Sequence, residues 1–300
     1  MKFLFTTSQL SSIMRYPKQR KGRNRMIHHL KMTVLVDNTA ELPFLGEWGL
    51  SILIEADETK ILLDTGSSGM FAKNAEQLGI DLSDVKLGVL SHAHCDHSDG
   101  MDAFFSLNKT APFLVREGSR ENCFGQKEGA MEYIGIKKGF LREFRDRIRY
   151  VSGIHEISDG IWLIPHRSAD YSAISRRNGL YIRKNKAYYP DSFSHEQSLV
   201  IDTHAGLAVF SSCSHTGMPN TLEDIRLALG REDFYAFVGG LHLYKLTDPE
   251  LNDRCDEIEQ SAVDRIYTGH CTGDHAFEFL RNRLGDRIVQ FYSGFICEIV

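Results

Sequence analysis

Val85-Lys86-Leu87-Gly88-Val89-Leu90-Ser91-His92-Ala93-His94-Cys95-Asp96-His97 is the stretch that decides how this chain folds. Its first half reads as a strand, and its second half puts four strong metal-ligand side chains within six residues. Side chains two apart on an extended segment point the same way, so His92 and His94 can face one ion. Asp96 and His97 lie where Ser98-Asp99-Gly100 must turn the chain, and they can face a second ion beside the first. Imidazole and carboxylate suit Zn²⁺, Mn²⁺ or Fe²⁺. The plain alternative is a polar loop with solvated histidines, and a lone His-x-His would be read that way. His-x-His-x-Asp-His directly after an apolar strand reads as a metal site.

The rest of the chain is consistent with an ordinary globular protein. Of its 300 residues, 42% are hydrophobic and 25% charged, enough apolar material for a sizeable core. A net charge of −5 gives no reason to expect attraction to nucleic acid or to an anionic membrane. No apolar run approaches the roughly 20 residues of a spanning helix. The six cysteines, at 95, 123, 213, 255, 271 and 297, form no C-x-x-C pair. That speaks against a disulfide scaffold and for a reducing compartment, so the expected location is cytoplasmic.

Lys18, Arg20, Lys21, Arg23 and Arg25 make a basic stretch near the start. It could be an anion-binding arm or a targeting segment. With nothing periodic before Met32, residues 1–31 are read instead as a disordered basic tail, or as sequence ahead of a start at Met26 or Met32. Residues 32–300 are read as one domain with a cap or insertion at 117–150.

Within that domain, Thr33–Asp37, Leu50–Glu55, Lys60–Leu63 and Leu87–Leu90 read as strands, and Gly69–Leu78 as a helix. A second helix is expected from His97 to Leu107 and another over Lys138–Ile148. Strands resume at Gly160–Ile164 and Gly179–Ile182, and Leu199–Asp202 pairs with Leu207–Phe210 around His204-Ala205-Gly206. Then helices (220–229, 250–260, 276–284) alternate with strands (235–238, 264–267, 288–291, 295–300). Early strands followed by alternating βα units suit two β-rich halves with helices outside, an α/β or α+β class.

The cluster resembles that of the metallo-β-lactamase superfamily, whose dinuclear members carry His-x-His-x-Asp-His after a core strand. Val36-Asp37-Asn38, Glu47-Trp48-Gly49-Leu50-Ser51, Asp64-Thr65-Gly66, Cys213-Ser214-His215, Gly239-Gly240-Leu241-His242-Leu243 and Gly269-His270-Cys271-Thr272-Gly273 extend the likeness. They resemble the branch of dihydropterin–ribofuranosylaminobenzene 5′-phosphate synthases and related metal-dependent hydrolases. The resemblance implies an α+β fold, the αββα sandwich of two β-sheets with helices outside.

It also implies a ligand set of His92, His94, Asp96, His97, His215 and His270, holding two divalent ions. Zinc is the first choice, with manganese or iron as alternatives. His242 is either a ligand or a group beside the metals that donates a proton or contacts phosphate, and the second role is preferred. The usual bridging aspartate is missing, since Cys213-Ser214-His215 stands at that strand end. Either His215 replaces it or the ions share only water. His195, twenty residues earlier, could fill a missing histidine place, where this branch leads one to expect an acidic residue. Cys213 could be a thiolate ligand, but a small buried strand-end residue is the simpler reading. Asp64 is expected to support the metal loop by accepting hydrogen bonds, and Cys95 to be a neutral filler.

Two such ions would lower the pKa of water from 15.7 to about 7 and polarise a substrate oxygen. The expected function is therefore a metallohydrolase that uses hydroxide on an ester, lactone or phosphoryl substrate. Asp96 would serve as ligand and proton acceptor, and His242 as donor to the leaving group. The branch offers an alternative, a transferase joining a pterin diphosphate to an aminobenzene ribosyl phosphate. Nucleic-acid or nucleotide phosphodiester cleavage is a second alternative, weakened by the absence of a basic groove. A di-iron redox centre would prefer a carboxylate in place of one cluster histidine, and a purely structural metal would sit in a closed site. The expected partner is a small anionic molecule, with no nucleic acid and no membrane. Oligomeric state is not legible.

Overall fold

The computed structural model describes residues 26–166 and 171–300, so the basic stretch at 18–25 lies outside the described residues. Two seven-stranded sheets pack face to face. The first runs, in spatial order, Ile296–Glu298, Leu30–Val36, Ser51–Ala56, Thr59–Leu63, Leu87–Val89, Phe113–Arg116 and Ile148–Val151. The second runs Ile288–Gln290, Arg265–Thr268, Phe234–Val238, Gly206–Phe210, Gln197–Thr203, Ile161–Pro165 and His155–Ser158.

The alternation of side chains explains the layering. Met32, Ile52, Ile61 and Val89 of the first sheet meet Leu163, Leu199, Ile201, Phe210 and Val238 of the second in a shared core. The intervening residues face outward. Leu53 and Leu62 pack under the helices Met70–Gln77 and Met101–Leu107 through Phe71 and Phe104. Val200 and Val209 do the same beneath Met218–Leu229, Asp248–Gln260 and Asp274–Leu284. This is the αββα sandwich. Among the described residues, no helix is long and apolar enough to cross a membrane.

Several expectations need correction. Residues 26–31 are not a tail: Ile27 pairs with Thr203 in an isolated bridge, and the first strand begins at Leu30. The helix expected from His97 to Leu107 is two pieces, Cys95–Ser98 and Met101–Leu107. A Cβ at Gly100, between them, would lie 2.2 Å from the Thr65 carbonyl oxygen, so the chain folds closely against backbone there. The helix expected over Lys138–Ile148 is a single turn, Phe140–Glu143. Arg147 then bonds the Asn108 and Ala111 carbonyls, and Ile148 enters the edge strand beside Phe113.

Residues 117–150 hold more than an insertion loop. The hairpin Cys123–Lys127/Ala130–Tyr133 joins a second hairpin, Leu180–Lys184/Ala187–Pro190, in a separate four-stranded sheet. Leu180 pairs with Gly125 and Ile182 with Cys123, so segments over fifty residues apart form one cap.

Candidate metal centre

The metal-ligand side chains meet at one end of the sandwich, where both sheets release their loops. His97 and His270 come together there with Asp96, and His92 and His94 with His215. All five imidazoles are buried.

Four of these rings are fixed by the same device. Asp64 accepts from Ser91 N (2.7 Å), Ser91 Oγ (2.6 Å) and His97 Nδ1 (2.8 Å). The Ser91 hydroxyl is thereby committed as a donor, so its 2.8 Å contact with His92 Nδ1 has the ring donating. Glu196 accepts from His215 Nδ1 at 3.1 Å, and Asn38 Oδ1 from His270 Nδ1 at 3.0 Å. In each case the supporting contact takes the Nδ1 proton, which leaves Nε2 as a lone pair.

Those lone pairs converge. His97 Nε2 and His270 Nε2 stand 3.2 Å apart, with Asp96 Oδ2 at 3.8 and 3.5 Å from them. Acceptors this close repel unless a cation lies among them. Burial lowers the affinity of His270 for a proton, but Asp96 more than offsets this and brings the ring to about 9, so without a metal a proton stands in for the cation at this place. In the other group, His92 Nε2 and His94 Nε2 are buried without a hydrogen-bond partner. Burial, and then the neighbouring imidazoles, push both rings well below the ordinary histidine value. Neutral imidazole is the form that binds metal. The donor set therefore fits divalent ions of the borderline class.

The backbone is strained where the site needs it. Asp64, Ser214, His242 and His270 all have left-handed φ, between 48° and 59°. Non-glycine residues adopt this region rarely, and such outliers gather at functional sites.

The other expected residues divide. His242 packs 4.7 Å from His215 by ring centroids, with its Nδ1 buried and unpartnered, beside the centre. His195 has both ring nitrogens engaged: Nδ1 accepts from Ala93 N (3.2 Å), and Nε2 donates to Asp191 (3.0 Å). It braces the backbone between His92 and His94. Burial, with Asp96 and Asp99 adding to it, pushes the Cys95 thiol up to about 12, which suits a neutral filler.

Glu196 was not anticipated. It sits one residue after His195, beside the place where the branch leads one to expect an acid, and that offset was the available signal. Its second oxygen lies 3.1 Å from His166 Nδ1. Nor had Trp48 or Asn38 been given a role. Trp48 Nε1 donates to Asp96 Oδ2 at 3.0 Å, and Asn38 Nδ2 donates to the His270 carbonyl at 3.1 Å.

The centre forms the floor of a cavity of about 470 Å³. Trp48, Tyr244 and Lys245 line one part, and Gln126, Ile134 and Leu180 of the cap another. The cap also touches the metal loop, because Cys95 N donates to the Ile134 carbonyl at 2.8 Å.

Comparison with known proteins agrees with this fold. The model of the metallo-β-lactamase superfamily matches residues 49–169. A 7,8-dihydropterin-6-methyl-4-(β-D-ribofuranosyl)-aminobenzene-5′-phosphate synthase of Methanocaldococcus jannaschii is 25% identical, over 89% of this chain and 96% of its own length. An uncharacterised protein of the same organism is 26% identical over 89% of this chain and 98% of its own. The crystal structure of a metal-dependent hydrolase of the β-lactamase superfamily is 28% identical, with a TM-score of 0.75, covering 90% of this chain and 99% of its own. Residues 49–169 thus form a metallo-β-lactamase domain by family model, and the fold of the whole chain is that of the superfamily's solved structures.

Proposed function

We propose that this protein is a metal-dependent hydrolase acting on a small anionic ester, lactone or phosphoryl compound. The observation that carries the reading is the 3.2 Å approach of two buried ring nitrogens, His97 Nε2 and His270 Nε2, beside the Asp96 carboxylate. His92, His94 and His215 would hold one divalent ion, and Asp96, His97 and His270 a second, with zinc preferred and manganese or iron as alternatives. Bound there, the ions would supply Lewis acidity toward a substrate oxygen and make water a competent nucleophile near neutral pH.

The chain's own residues do the rest. Burial raises the Asp96 carboxyl, but His97 and His270 outweigh it and hold the group ionised, able to accept a proton as well as bind metal. His242 presents a buried, unpartnered Nδ1 and is the candidate donor to the leaving group. Trp48, Tyr244 and the cap line the cavity in which a substrate would be held away from bulk water. The unpaired cysteines of the described chain suit a reducing, cytoplasmic setting.

The likeness to the synthase supports a second reading, a transferase that joins a pterin diphosphate to an aminobenzene ribosyl phosphate with diphosphate as the leaving group. Elemental analysis of the purified protein, with His94→Ala and His270→Ala variants, tests the metal centre. About two ions per chain, falling in both variants, is the expected result. No ion bound, even after reconstitution, would overturn it. Parallel assays of phosphodiesters, lactones and pterin diphosphates, with and without an aminobenzene acceptor, separate hydrolase from transferase.

A further inference from the structure

Between the two ligand groups sits one sulfur. Cys213 Sγ lies 3.2 Å from His97 Nε2 and belongs to three close groups of ligand atoms: with His92 and His97, with His215 and His242, and with His270 and Cys271. Within each group all ligand atoms lie within 4.8 Å of one another. Since a cysteine offers a single ligand atom, the same sulfur faces ring nitrogens of both metal groups. For comparison, a ring nitrogen and a thiolate sharing one zinc, with bonds of about 2.0–2.1 and 2.3 Å at tetrahedral angles, stand about 3.6 Å apart. Cys213 is 3% exposed, so it is neither a surface thiol nor spare strand-end packing remote from the site. The buried Nε2 of His92, which has no hydrogen-bond partner, belongs to the first of these groups and is free to take an ion.

We infer that Cys213 is a metal ligand whose thiolate bridges the two ions, in the position where the sequence lacks an aspartate. This rests on the metal reading above and adds a sulfur to an otherwise nitrogen and oxygen donor set. A thiolate favours zinc, iron or cobalt over manganese and magnesium, so the bridge also sets which metals the protein retains. Cys271 is the neighbouring alternative. Its thiol donates to the Cys213 carbonyl at 3.6 Å and packs against Gly240, where a Cβ would come within 2.4 Å of the sulfur. Cys271 meets only the last of the three groups, with His270 and Cys213, whereas Cys213 belongs to all three.

The test is the electronic spectrum of the full-length protein loaded with Co²⁺. A sulfur-to-cobalt charge-transfer band in the near ultraviolet is expected in the wild type and in Cys271→Ser. In Cys213→Ser the band is lost, and chelator competition shows cobalt held more weakly by more than about tenfold. Cys213→Asp serves as the folding control: it should restore tight binding without the band and shift preference from zinc toward manganese. Cobalt bound by the wild type with no such band, or a band that survives Cys213→Ser and disappears in Cys271→Ser, overturns the bridge while leaving the metal centre intact. Failure to bind cobalt at all overturns both.

Discussion

Glu196 Oε1 receives both the backbone N–H and the ring Nδ1–H of His215, at 3.2 and 3.1 Å. One buried carboxylate thus sets the position, rotation and tautomer of a ring that the sequence alone shows only as a histidine at a strand end. Glu196→Gln keeps the shape but replaces a charged acceptor with a neutral one. Metal affinity should fall by about 10–100-fold, measured by chelator competition, with the fold retained by circular dichroism. Unchanged affinity would mean that His215 needs no such support.

Trp48 is half exposed, yet its indole N–H reaches Asp96 Oδ2. Trp48→Phe should leave thermal stability within about 0.5 kcal/mol, since little packing is lost. Turnover of whichever substrate is hydrolysed should fall by about tenfold, the size of one hydrogen bond to a charged group. A variant with normal turnover would make Trp48 only part of the cavity wall.

Gly88 lies in the short strand that delivers the metal loop, and a Cβ there would sit 2.1 Å from Cε2 of Phe113. Gly88→Ala should therefore cost about 1–3 kcal/mol in denaturant unfolding. Adding Phe113→Leu should recover part of that loss, with a coupling of about 0.5–3 kcal/mol in the double-mutant cycle. Strict additivity would show that the strand yields elsewhere.

Asp191 ties His195 to the cap. Burial would raise its carboxyl, but the facing His195 and the Phe193 N–H bring it down to about 2. A folded value below the unfolded one, near 3.9, stabilises the protein above that pH, and the contribution is lost as pH falls toward 2. Asp191→Asn should accordingly be less stable than the wild type by ~2 kcal/mol between pH 5 and 7. The gap should narrow in unfolding curves taken below about pH 4. A gap independent of pH would place the effect in packing instead.

Much of the centre was legible because its signals are local. His92, His94, Asp96 and His97 are spaced by a strand and the turn that follows it, and the glycine-flanked histidines at 215, 242 and 270 mark strand ends. The misread segments are those whose fate depends on distant partners. Lys138–Ile148 has helical composition, but Ile148 is claimed by Phe113 as an edge-strand neighbour. A cap at 117–150 was expected but its sheet could not be foreseen, since Cys123–Lys127 is apolar only at its start and becomes a central strand only by meeting Leu180–Lys184.

The sequence by itself determined the ligand cluster, the alternation of inward and outward residues that makes two sheets stack, and the helices that cover them. Only the tertiary structure decided that Glu196 anchors His215, that His195 braces Ala93 and that Cys213 stands between the two ligand groups. The reason is register. Leu199 pairs with Phe210 in antiparallel strands, so the residues before the one and after the other emerge at the same end of the sheet. Periodicity gives each strand its faces, but only the paired sheets bring those ends to the loop that carries His92 to His97.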